Sequence, residues 1–151
     1  MGYILPDRRT VPRKRALAIP RQEQIRPRRI RKTEQPNSAP DITAVARALE
    51  HHKARDVIVL DLRSLSDATD YFIIASGTSD THVRAVAEQV LDTMRERSRK
   101  PHHVEGVSQG RWVLLDFVDF VVHVFHPSLR EFYRLERLWA DAPVVHVQPG
   151  R

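Results

Sequence analysis

The sequence predicts a small α/β domain, a mixed β-sheet flanked by helices. Three observations carry that expectation. Short runs rich in β-branched residues recur at Asp56–Leu62, Tyr71–Gly77, "WVLLDF" and "FVVHVF", the pattern of buried strands. Between the second and third runs lies an apolar stripe at helical spacing: Val83, Val86, Ala87, Val90, Leu91 and Met94. That connection is long enough to cross over the sheet, so strands and helices belong to one layered unit.

Taken in order, Pro40 and Asp41 open a helical pattern with Asp41 as the N-cap, followed by Ile42, Val45, Ala46 and Leu49 at helical spacing. "DVIVLDL" is the first strand, and "LSDATD" is polar and turn-like. "YFIIASG" is the second strand, ending at a glycine, and Ser79 or Asp80 caps the helix that follows. Pro101 terminates the segment after "RERSRK". "WVLLDF" and "FVVHVF" are close enough to pair as a hairpin. Pro127 suits the first position of a last helix, where its missing N–H costs nothing. On that helix Leu129, Phe132 and Tyr133 form the core side, and Glu131, Arg134 and Arg137 the solvated side. No internal repeat is visible.

Charge divides the 151 residues unequally. Residues 1–40 hold eleven Lys and Arg against three Asp and Glu, a net +8. Residues 41–151 hold fourteen against sixteen, a net −2, and all eight histidines. Six of the ten prolines fall between Pro6 and Pro40, where they interrupt helix and, with self-repulsion, favour disorder. The expected organisation is a basic Pro/Arg-rich arm over 1–40, a domain over 41–143 and a tail over 144–151. Three readings are open for the arm: a solubilising tail or a start codon assigned too far upstream, an electrostatic grip on RNA phosphates, or a mitochondrial transit peptide. The last fits poorly, because Ser38 is the arm's only serine.

Cysteine is absent, which excludes disulfides, thiolate catalysis and cysteine-based zinc sites and fits a reducing cytosol. No apolar run reaches the roughly 18 residues of a membrane-spanning helix, and no signal-peptide core precedes the arm. A cytoplasmic protein without a membrane partner is expected.

No readable active site emerges. His123 and His126 lie three apart, which on a strand places them on opposite faces. The adjacent pairs His51–His52 and His102–His103 diverge, and none of these spacings matches a helix-borne zinc site. "GTSDTH" (Gly77–His82) joins strand to helix where a phosphate meets backbone N–H groups. It has one glycine and no lysine, and no D-x-D pair follows, so strand exit and helix cap account for it better. Asp61, Asp67, Asp70, Asp116 and Asp119 are scattered at strand ends, as turn formers are. No cofactor is expected. On "WVLLD", Trp112, Leu114 and Asp116 share one face while Val113 and Leu115 share the other. An outward Trp112 would be an aromatic anchor beside an acid; an inward one would be core.

Collectively, "ATDYFIIASGTSDTHVRAVAEQV", "VEG", "WVLLDF" and "VVHVFHPSLREFYRLERLWADAP" resemble the ribosomal silencing factor (RsfS, Iojap-like) family over about residues 41–143. One local departure is Val118, where members commonly carry glycine in the hairpin. The resemblance implies a fold reminiscent of nucleotidyltransferases without their catalytic carboxylates, and no enzyme activity. It implies binding to the large ribosomal subunit through the fourteenth large-subunit ribosomal protein, blocking small-subunit joining and repressing translation. Organelle relatives act in large-subunit assembly, and some members form homodimers. Carried over by position, the partner-binding strand implicates Trp112 and Asp116, with Leu115 and Asp119. The rival from another class is a nucleotidyltransferase-like or other phosphate-handling enzyme using Gly77–Asp80.

Overall fold

A computed structural model describes residues 38–145. The expected arm, up to residue 37, and the tail from residue 146 lie outside the described residues. In chain order the elements are α1 (Ser38–His51), β1 (Arg55–Asp61), β2 (Tyr71–Ser76), α2 (Asp80–Glu96), β3 (His103–Glu105), β4 (Trp112–Asp116), β5 (Phe120–Phe125), α3 (Pro127–Tyr133), α4 (Leu135–Leu138) and β6 (Val144–Val145).

Six strands form one mixed sheet in the order β3-β4-β5-β2-β1-β6. Only the central pair, β2 with β5, is parallel; the other neighbours run antiparallel. The parallel pair is bridged by the crossover that the stripe on α2 requires. That helix begins where the Ser79 hydroxyl accepts the His82 backbone N–H at 3.1 Å, satisfying one of the donors a helix start leaves open. Val83, Val86, Ala87, Val90 and Met94 are its buried face.

Alternation along the strands divides the core in two. Val113, Leu115, Phe117, Val122 and Val124 face α1 and α2. Trp112, Leu114, Val121 and Phe125 face the opposite way, packed with Leu129, Leu135 and Trp139 from the C-terminal helices. Because both faces are covered, β2, β4 and β5 are buried at every position.

The boundaries differ from expectation in four places. First, α1 begins at Ser38, so Pro40 lies inside the first turn, where its missing N–H breaks no bond. Asp41 is therefore not the cap. Its carboxylate instead accepts from Arg97 Nε at 2.7 Å and Arg99 Nη1 at 2.6 Å. Second, α2 stops at Glu96, five residues before Pro101, with Ser98 in a left-handed turn at φ 59°. Third, the final helix breaks at Arg134, which is left-handed at φ 46°. Leu129 is buried as expected, but Phe132, in the last turn before that break, is 45% exposed. Fourth, the fold continues past residue 143: Val144 and Val145 pair with Leu60 and Val59.

Candidate partner-binding hairpin

The four residues implicated at the sequence level all lie on the β4–β5 hairpin or its turn. In register, Trp112 opposes Phe125, Leu114 opposes His123 and Asp116 opposes Val121. The turn closes with Phe117 N–H donating to Phe120 O at 2.9 Å and Asp119 N–H donating to Phe117 O at 3.0 Å. The second bond spans only three residues, with Val118 at its centre and φ at 77°. A β-branched residue in that conformation is strained, because Cβ crowds its own backbone. The Asp116 Oδ1 atom holds the turn from inside by accepting the Val118 N–H at 2.8 Å.

Arg99 braces the same turn from outside. Its Nη2 donates to Asp119 Oδ1 at 2.6 Å and to Phe117 O at 3.3 Å, while Nη1 reaches Asp41. The guanidinium also lies over the Phe120 ring, 5.7 Å from its centroid. One arginine thus ties the first turn of α1 to the hairpin. Nothing in the local sequence signals this, since its partners lie 58 and 20 positions away.

Trp112 does not face outward. It is 3% exposed, with ring centroids 4.8 Å from Phe125 and 4.9 Å from Tyr133 of α3. The outward anchor is therefore corrected to a core residue between sheet and C-terminal helices: β4 lies inside the sheet and both its faces are covered. Leu115 is fully buried on the α1–α2 side, and Asp116 has no exposed surface. Asp119 alone of the four reaches solvent, its side chain 31% accessible. Beside it Val118 is 53% exposed.

The Trp112 indole N–H needs an acceptor in this apolar setting. It donates to His123 Nδ1 at 3.1 Å. This fixes the neutral imidazole with its proton on Nε2, an atom that makes no hydrogen bond among the described residues. The ring stands edge-on to Phe72 at 4.6 Å. Burial pushes the His123 pKa from 6.5 down to about 3, since a charged imidazolium would lose its hydration.

Other histidines and the glycine loop also have structural roles. His126 Nδ1 accepts from Ser128 N–H and caps α3. His82 Nδ1 accepts from Thr78 N–H at 2.9 Å, so its Nε2 donates to His52 O at 2.8 Å. A Cβ added at Gly77 would come within 2.6 Å of Val83 Cγ2, so this glycine permits close packing of strand exit against α2. Among the described residues no group of three or more His, Cys, Asp or Glu is placed to hold a metal ion. No helix among them is long and apolar enough to cross a membrane.

Comparison with known proteins places this arrangement. The family model described as "Ribosomal silencing factor during starvation" matches residues 35–151. The ribosomal silencing factor RsfS of Bacillus subtilis (strain 168) is 41% identical over 105 residues, covering 70% of this chain and 89% of that one. The Mus musculus protein named "Mitochondrial assembly of ribosomal large subunit protein 1" is 34% identical over 102 residues, covering 66% of this chain and 45% of that one. A solved structure from Chromobacterium violaceum superposes with a TM-score of 0.66 at 33% identity, covering 74% of this chain and 92% of that one. By its matched span, its identity to named relatives and its shared fold, the chain belongs to the RsfS family of ribosomal silencing factors.

Proposed function

We propose that this chain is a cytoplasmic translation repressor that occupies the large ribosomal subunit and so keeps the small subunit from joining. The observation that carries the reading is the family match, whose span of 35–151 contains the whole described fold. Occupancy of the contested surface is sufficient for such a block, so no cofactor or chemical step is required. The docking partner is the fourteenth large-subunit ribosomal protein. A domain of net charge −2 over residues 41–151 complements a basic partner, and the basic arm is left to contact nearby ribosomal RNA.

The geometry supports a division of labour on the hairpin. Asp119 and the strained tip meet the partner. Trp112, Leu115 and Asp116 hold that tip in place from within the core. The test is Asp119→Lys, which sets like charge against a basic surface. Binding to large subunits should weaken by about 2 kcal/mol, roughly 30-fold, while the variant keeps its circular dichroism. Wild-type affinity in a folded Asp119→Lys chain would remove the hairpin from the interface.

A second reading within the same class is a large-subunit assembly factor, favoured by the mouse relative and its printed name. Profiles of free subunits separate the two. Repression leaves mature large subunits intact when the protein is deleted, whereas an assembly role leaves precursors behind.

A further inference from the structure

A pocket of about 480 Å³ opens at the carboxyl ends of the parallel strands β2 and β5, away from the hairpin turn. In open α/β sheets that is where ligands bind. Arg55, Arg130, Arg134 and Arg137 all line it, together with the Ser76 hydroxyl. Arg130 is fixed as its floor: Nη1 donates to Ser76 Oγ at 2.9 Å and Nε to Glu136 Oε1 at 2.6 Å. Asp56 and Glu131 also line the pocket and, with Glu136, reduce its net charge to +1 against four arginines. Arg55 and Arg137 are exposed, and their guanidinium groups make no hydrogen bond or ion pair among the described residues.

The backbone is deformed at the same place. Asp56 (φ 51°) and Arg134 (φ 46°) are left-handed non-glycine residues, and both border the pocket. At the first, the β1–β2 register shifts between Arg55 and Ile58, a bulge at the pocket rim. At the second, the break between α3 and α4 brings arginines of both helices, Arg130 and Arg137, to one cavity. Bulges and strained residues concentrate at binding sites, because the surrounding structure must offset their cost.

We propose that this pocket holds the phosphodiester backbone of RNA, contacted by Arg55 and Arg137 over the fixed Arg130. Guanidinium forks match phosphate oxygens in two-point geometry, and two of the four arginines have no partner among the described residues to release first. The pocket is open, which suits a chain passing through it better than a small ligand enclosed within it. This contact goes beyond the protein-docking hairpin and uses residues outside the sequence of the basic arm.

The test titrates the full chain with an unstructured oligouridylate of about 12 nucleotides over a salt series. It compares Arg55→Ala/Arg137→Ala with Arg47→Ala/Arg95→Ala, which removes equal charge from exposed positions on α1 and α2 and so corrects for the arm. The pocket pair is expected to bind more weakly at low salt. Its slope of log affinity against log salt should be smaller by about 1.4, two contacts at about 0.7 each on a single strand. Arg137→Glu alone, at an exposed residue, should act in the same direction and keeps the test open if the double variant melts early. Equal affinity and slope for the two pairs would overturn the proposal. So would adenosine triphosphate binding that the pocket pair loses while its RNA binding stays unchanged, which would reassign the pocket to a free phosphate ligand. Because the probe is bare RNA, either result is independent of whether the chain docks on the ribosome.

Discussion

Trp112 and His123 are diagonal neighbours on one face of the β4–β5 pair, joined by an indole N–H donating to an imidazole nitrogen at 3.1 Å. Their coupling ties the hairpin into the buried core and gives the fold a sensitivity to acid.

The sign of that sensitivity follows from the depressed pKa. The folded state holds His123 neutral down to about pH 3, while the unfolded chain takes up a proton near 6.5. His123 therefore contributes stability that is fully present above pH 6.5 and is lost as pH falls toward 3. Between pH 6.5 and pH 5 the loss should be roughly 2 kcal/mol, at about 1.4 kcal/mol per pH unit. Urea melts at both pH values check it, with His123→Phe as reference. That variant should be less stable at pH 7, because the Trp112 donor loses its acceptor, but its additional loss at pH 5 should be smaller by about the same 2 kcal/mol. An equal pH dependence in both proteins would contradict the assignment.

Trp112→Ala should cost about 3–5 kcal/mol of stability, the cost of deleting a large buried aromatic ring. Its melting temperature should fall steeply, and lost ribosome binding would then report unfolding. Trp112→Phe keeps most of the ring and gives up the hydrogen bond, at an expected cost of about 1–2 kcal/mol. A Trp112→Ala protein that melts like wild type would return this residue to the surface.

Val118→Gly should stabilise the protein by about 1 kcal/mol. Relief of left-handed strain, worth about 1–3 kcal/mol, exceeds the entropy that glycine adds to the unfolded chain. Chemical denaturation measures it directly. A destabilised variant would mean that the valine side chain makes contacts worth more than the strain.

Arg99→Met should destabilise by about 1–2 kcal/mol, because it removes hydrogen bonds from charged partners on both α1 and the hairpin. Asp41, with its side chain only 9% accessible, would retain Arg97 alone. Hydrogen exchange should quicken at the Val118 and Asp119 amides if the brace is real, and stay unchanged if it is not.

The strands β1, β2, β4 and β5 were legible as short runs of apolar, largely β-branched residues, and the helix α2 as a stripe recurring at helical spacing. The strands β3 and β6 were not: three and two residues long, they carry too little pattern, and pairing with β4 and β1 defines them. The break at Arg134 was hidden because Leu129, Phe132 and Tyr133 read as the core side of one continuous helix. At the hairpin, alternation correctly divided Trp112 from Leu115 but could not say that both faces are covered. That depends on α3 and α4 packing over Trp112, a long-range contact. His123 drew notice as a metal candidate, whereas its role as acceptor for Trp112 needed the register of two strands.

The central claim is that this chain occupies the large ribosomal subunit, and co-sedimentation with purified subunits tests it most directly. The full chain should pellet with large subunits and not with small ones, and its presence should reduce formation of joined ribosomes when small subunits are added. A chain that stays in the supernatant with large subunits, or pellets with them while joining proceeds undiminished, would contradict the account.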